Sequence, residues 1–386
     1  MIMKNKNLLT IFLIVLIDLL GFGIILPLLP YIAEKYQANP FQIGLLTASY
    51  SFFQLIASPI LGRLSDRYGR KKILMISQFG SVVGYLLLGL AGSLLLLFIS
   101  RIVDGITGGN ISIAQAYIAD VTDKKNRAKG MGMIGAAFGL GFIFGPALGG
   151  LLAKISYSTP AYFAAGIAML TVVTTYFFLK ESVDVKVVAK SPRAQLNLTE
   201  LKRVLSIQPI GLLIVAFFLF NTAVSIQQGI FALWTQRTYK FGPTENGWLF
   251  TYIGIIVVII QLRILPFIIK KFPEKTILRT VFVLTAIGLM SIPLLQRPEF
   301  LIYISLFILS FGNAFTNPVI QSIASENVPK EEYGGTLGFL QSAGSMGRIV
   351  GPALGGELFF RFGKDTPFII AAMIMFLLAG YIWKKI

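Results

Sequence analysis

The chain has 386 residues, 55% of them hydrophobic and 13% charged, about half the ~25% charged share with which a water-soluble protein covers its surface. Its formal charge of +17 would suit a nucleic-acid partner, but the basic residues sit in short segments between long apolar runs, where membrane topology puts them. Cysteine and histidine are absent, which excludes disulfides, thiolate metal sites and imidazole proton carriers and leaves carboxylates for any proton traffic.

The apolar runs repeatedly reach about 20 residues, the length of a helix that crosses a hydrocarbon core of about 30 Å. Barrel strands would give ten-residue alternating segments, which do not occur. The reading is an all-α membrane protein with spans at 8–32, 41–61, 72–92, 94–120, 129–154 and 159–179, then 209–235, 244–270, 275–295, 299–325, 332–358 and 365–384. The first run is too long for a signal-peptide core and lacks a small-residue cleavage site, so it stands as span 1. The domains expected are a six-helix bundle over 1–179, a polar linker over 180–208 and a second bundle over 209–386. The linker carries Lys180, Lys186, Lys190, Arg193, Lys202 and Arg203, and its stretch 196–205 has the spacing of a helix lying on the membrane surface. Both termini and the even-numbered loops hold 24 of the 34 basic residues, the other side 7, and the spans 3 (Arg101, Arg263 and Arg348). That asymmetry predicts cytoplasmic termini in a cell membrane.

In chain order, span 1 contains Asp18-Leu19-Leu20-Gly21-Phe22-Gly23 followed by Pro27 and Pro30. The loop after span 2 reads Gly62-Arg63-Leu64-Ser65-Asp66-Arg67-Tyr68-Gly69-Arg70-Lys71-Lys72; Gly62 and Gly69 are expected to let the chain turn, and Asp66 and Arg70 to pair. Span 4 carries Arg101, Asp104, Gly105 and Gly108, its two charges three residues apart and therefore on one face. Span 5 carries Gly141, Gly145, Pro146, Gly149 and Gly150, which at a shift of 206 fall on Gly347, Gly351, Pro352, Gly355 and Gly356 of span 11. The same shift brings Asp120 onto Glu326, Lys124 onto Lys330 and Gly132 onto Gly338. Internal repeats of six helices mark transporters whose halves rock about a central site. In the second half, the stretch 265–278 corresponding to the span 2–3 loop has lost the acidic residue, with Lys270 near its place.

These motifs resemble those of the major facilitator superfamily. The Gly62–Lys72 loop is similar to its signature loop, the span 5 glycines to its antiporter motif, and the span 1 and span 4 motifs to those of the twelve-span drug:proton antiporters, closest to the bacterial tetracycline-efflux and multidrug-efflux branch. The resemblance implies a conformational latch at Gly62, Asp66, Arg67, Gly69 and Arg70, and proton coupling through Arg101. Charges inside spans are costly unless paired or hydrated. A carboxylate that gains and loses an arginine partner is a proton switch, so the residues expected to couple protons are Asp18 and Asp104, with Arg101 and Arg348 modulating them. A static Arg101–Asp104 structural pair is the other reading.

Tetracycline exporters of that branch carry further acids in spans 3 and 9, whereas the equivalent place in span 3 here is Gly84 and span 9 has no acid beyond its start. A lipophilic cation or neutral compound is therefore expected before metal-chelated tetracycline. Candidate substrate contacts are Tyr50, Gln54, Gln115, Tyr117, Asn221, Gln227, Phe231, Trp234, Asn313 and Asn317, taken as a set. The function expected is proton-coupled export of small molecules; uptake or exchange of a metabolite is the alternative. The expected partners are substrate, protons and the bilayer, with the chain a monomer. No phosphate-binding loop or catalytic domain is visible, so an enzyme, a metal and a cofactor are not expected.

Overall fold

The computed structural model describes residues 6–182, 208–328 and 333–385. Lys186, Lys190, Arg193, Lys202, Arg203, the stretch 196–205 and the repeat partner Lys330 lie outside the described residues. All regular structure among the described residues is helical, as hydrocarbon demands of any open chain that must satisfy its own backbone. Twelve helices follow in order: α1 (Lys6–Ile25, then a short turn of helix Leu29–Glu34), α2 (Pro40–Tyr68), α3 (Arg70–Gly89), α4 (Leu94–Ile106 and Asn110–Val121), α5 (Lys124–Leu152) and α6 (Thr159–Phe178). Then come α7 (Ile210–Tyr239), α8 (Pro243–Lys271), α9 (Glu274–Leu294), α10 (Leu301–Glu326), α11 (Tyr333–Phe362) and α12 (Thr366–Lys385).

Among the described residues, 11 helices are long and apolar enough to cross a membrane; the twelfth, α11, is diluted by its glycines and Arg348. Large apolar side chains face outward, with Phe177 70%, Leu262 72% and Leu377 73% exposed. Facing water they would be a liability, and facing lipid they are the solvent match. Local chemistry sets the ends. Asn39 and Gln42 cap α2 reciprocally, each side-chain oxygen accepting the other's backbone N–H at 2.9 Å. Ser93 accepts from Leu96 N at the start of α4. The span boundaries differ most at α2, which continues seven residues past the expected end at 61, and at α4 and α8. The first is broken at Thr107–Gly109, and the second contains a π-helical turn at Ile260–Ile264.

Close contacts gather the described residues into two compact units, one drawn from Met1–Ala38, Ser49–Arg193 and Gly242–Gly254, the other from Asn39–Ala48, Ala194–Phe241 and Ile255–Ile386. In the first, α5 lies backbone-to-backbone on α1: a Cβ on Gly145 would sit 2.8 Å from Gly23 Cα and 3.0 Å from the Leu20 carbonyl. The start of α8 closes on both, with Thr244 Oγ1 donating to the Gly150 carbonyl of α5 at 2.9 Å and Asn246 Nδ2 donating to Tyr31 Oη of the short helix after α1 at 2.6 Å. In the second unit α11 packs on α7 in the same way, a Cβ on Gly351 meeting the Thr222 carbonyl at 2.6 Å. There the start of α2 closes on α11, where Gly44 admits the Pro352 carbonyl. The sequence repeat is thus a repeat of helix contacts.

Candidate translocation site

The break in α4 organises the polar interior of the first unit. Thr107, Gly108 and Gly109 leave the helix because two adjacent glycines weaken it and Ser77 of α3 offers an alternative. Its hydroxyl donates to the Thr107 carbonyl and accepts from Gly109 N at 3.3 Å. The helix resumes at Asn110, whose Nδ2 donates to Asp18 Oδ1 at 2.6 Å. One turn before the break, Arg101 Nη1 pairs with Asp104 Oδ2 at 3.3 Å, both residues 3% exposed. Gln54 of α2 donates to the freed Gly108 carbonyl at 3.1 Å and to Tyr50 Oη at 2.9 Å. Interrupted spans with liberated carbonyls are where membrane carriers build binding sites.

The Arg101 guanidinium lies between the rings of Tyr50 and Tyr85, 5.9 Å from each centroid. Its Nε and Nη2 are buried and find no hydrogen-bond acceptor among the described residues. Asp104 is further held by the Ser81 hydroxyl. Gly84, the position where the resemblance would place an acid, faces Asp104 directly: a Cβ there would lie 2.8 Å from Asp104 Cβ. The missing side chain on α3 is what admits the carboxylate from α4. Gly21 does the same for Tyr85, whose hydroxyl would stand 2.7 Å from a Cβ on Gly21. Phe22 packs against Tyr50 (5.6 Å between centroids) and Phe142 (6.2 Å), giving the half-buried Asp18 an aromatic neighbourhood. Asp18, Arg101, Asp104, Tyr50 and Gln54 are therefore brought together, joined by Asn110 and Tyr85. Asp104→Asn is expected to free Arg101 and to cut gradient-driven transport severalfold; an unchanged pH profile in that variant would identify the pair as a static strut.

The remaining expected contacts divide. In the second unit Asn221 donates to the Phe217 carbonyl at 2.8 Å and abuts Gly344 and Gly347, while Arg348 donates to Ser345 Oγ at 2.8 Å. Asn313 is half-buried, and Asn317, exposed, accepts from Gln321 at 2.7 Å. Gln115 is exposed, whereas Gln227 is 2% exposed with its Nε2 unpaired among the described residues. Tyr117, Phe231 and Trp234 are fully buried. Tyr117 Oη donates to the Lys180 carbonyl at 2.8 Å. Trp234 stacks on Phe231 and donates Nε1 to Asp365 Oδ1 at 2.7 Å, with Lys364 over its ring at 5.6 Å. Trp234→Phe is expected to lower the melting temperature of purified protein through the lost buried hydrogen bond, about 1 kcal/mol, with substrate affinity unchanged.

At the span 2–3 loop, Arg70 Nη2 pairs with Asp66 at 2.5 Å, Arg70 Nε with Asp120 at 3.0 Å, and Nη1 donates to Ser65 Oγ at 2.7 Å. Only Gly69 makes the turn, at φ +100°. Gly62 does not, because α2 runs straight through it and the space around it is open. Arg67 is exposed, over the Tyr68 ring at 5.3 Å. In the second half the loss of an acid is incomplete: Glu274, opening α9, hydrogen-bonds the Ser322 hydroxyl.

Charged groups buried at a broken helix, within helices packed as a six-helix repeat, define a polytopic membrane transporter. The family model described as Major Facilitator Superfamily matches residues 11–334 and 229–385. The chain is 30% identical to "Multidrug resistance protein 2" of Bacillus subtilis over 97% of its own length and 96% of that protein. It is 32% identical to "Tetracycline resistance protein, class H" of Pasteurella multocida, covering 91% and 88%. Among solved structures it resembles the human organic anion transporter MFSD10, with a TM-score of 0.73 and 23% identity over 98% and 99% of the two chains. The chain belongs to the major facilitator superfamily.

Proposed function

We propose that this protein exports drug-like molecules, lipophilic and cationic or neutral, from the cytoplasm in exchange for protons, by alternating access of two six-helix halves, 1–179 and 209–386. The observation that carries the reading is the half-buried Asp18, bonded to Asn110 at the α4 break and set beside aromatic rings and the Arg101–Asp104 pair. An ionised Asp18 suits a cation, and a protonated one releases it. Relatives named for multidrug and tetracycline resistance support export over uptake. In this reading the protein is a monomer in the cell membrane, and the excess of basic residues on one side supports cytoplasmic termini.

Each proton moving down a proton gradient equivalent to 100 mV delivers about 2.3 kcal/mol, enough for more than about a tenfold substrate gradient. Asp18 and Asp104 exchange the protons; Arg101, between two tyrosines, stays paired with Asp104 until the site rearranges, and Arg348 modulates the exchange. The test is energised inverted membrane vesicles containing the full chain, given a lipophilic cationic dye, a neutral dye and magnesium-chelated tetracycline. The proposal expects dye accumulation that a protonophore collapses, with the chelate transported least. Accumulation that survives collapse of both the pH gradient and the membrane potential would overturn it.

A further inference from the structure

The start of α3 lacks a cap of its own. Its N-cap position is Gly69, which has no side chain to accept the first free N–H groups, and an acceptor there normally comes from a local Ser, Thr, Asp or Asn. The acceptor is instead Glu181, three residues past the end of α6. Its Oε1 accepts from Arg70 N at 2.8 Å and its Oε2 from Lys71 N at 3.2 Å. The carboxylate sits on the positive end of α3. Gly69 is required for its φ of +100°, and a Cβ there, 2.5 Å from Glu181 Oε2, would push the carboxylate off the helix start.

The neighbours of Glu181 are tied to the same place. Tyr117 Oη of α4 holds the Lys180 carbonyl, and Ser182 Oγ donates to Asp120 Oδ2 at 3.0 Å, the oxygen that also accepts from Arg70 Nε. Lys71 Nζ reaches back to the Tyr176 carbonyl at 2.7 Å. A closed ring results, in which Arg70 is gripped at its backbone by Glu181 and at its guanidinium by Asp66 and Asp120. We infer that Glu181 is a positioning residue of the loop latch, setting where the Arg70 guanidinium sits and making the segment that follows α6 part of that latch. This rests on the proposed latch role of Asp66 and Arg70, not on proton coupling.

The full chain contains no cysteine, so a single cysteine placed at Ser342 of α11, an exposed position, reports conformational exchange through its alkylation rate. Glu181→Ala is expected to lower turnover about tenfold, the scale of a lost charge-assisted hydrogen bond, with KM held within about twofold. The alkylation rate should shift in parallel. Glu181→Gln, which keeps an acceptor oxygen, should recover part of the loss. A double variant, Glu181→Ala with Arg70→Gln, should be no worse than Arg70→Gln alone, because both remove one interaction. Additive losses, a rise in KM with unaltered alkylation, or wild-type turnover in Glu181→Ala would overturn the inference. Should Glu181→Ala fail to fold, the same cycle with Glu181→Gln decides. Wild-type protein that exchanges conformation but ignores a pH gradient would count against proton antiport and leave this assignment standing.

Discussion

Asp18→Asn is expected to abolish uphill, gradient-driven efflux while leaving substrate binding and downhill exchange in place. Asparagine has the size of aspartate, and its carbonyl oxygen can still accept from Asn110 Nδ2, so the α1–α4 contact of 2.6 Å survives. What it cannot do is bind and release a proton. With no histidine in the chain, no imidazole can stand in, and Asp104, held in its pair with Arg101, is the one other carboxylate the account gives to the proton path. The measurement is dye flux in proteoliposomes with and without an imposed pH gradient, beside dye binding in detergent. A variant that still concentrates dye would move the proton path to Asp104, and one that no longer binds dye would make Asp18 a structural anchor.

The second large effect is steric. Gly145→Val places a branched side chain where a single Cβ would already lie 2.8 Å from Gly23 Cα and 2.9 Å from Gly23 C. Real Cβ atoms essentially never approach so closely, and the atoms in the way are backbone, which cannot rotate aside. Overpacking a close-packed site costs about 1–3 kcal/mol, and here α1 and α5 must separate, carrying Asp18 away from Asn110. Purified Gly145→Val is expected to melt lower or not to accumulate in the membrane, and to lose transport entirely. Gly351→Val, at the α7–α11 contact, should fail in the same way. Gly166→Ala on α6, where a Cβ meets nothing within 4 Å, is the control that should behave as wild type. A Gly145→Val protein with normal stability and flux would refute the close-contact account of the antiporter motif.

What could be read in the sequence was what is local or periodic. Runs of apolar residues mark spans because lipid is the solvent, and the glycine register shared by α5 and α11 is visible because each glycine answers a backbone in the next helix. Asp18, Arg101 and Asp104 stood out as charges where charge is costly. The break in α4 was written in Thr107-Gly108-Gly109 but reads as packing glycine until Ser77 is brought to it by the fold. Asn110 and Tyr85 carry no charge, and only their distances to Asp18 and Arg101 single them out. Glu181 lies at the start of the polar linker and looks like solvated charge; its partners are 111 and 110 positions away. Trp234 and Tyr117 were ambiguous for a related reason: an aromatic with a polar tip serves equally as a ligand face or as a buried anchor, and the bonds to Asp365 and to the Lys180 carbonyl appear only in the fold.

The central claim is that substrate moves out as protons move in. It is tested most directly by sealing a pH-sensitive fluorophore inside proteoliposomes at symmetric pH and applying an inward or outward gradient of a lipophilic cationic dye. The account predicts proton flux opposite in direction to the dye, absent from liposomes without protein and absent with Asp18→Asn. Proton flux in the same direction as the dye, or dye flux with no proton movement at all, would contradict it.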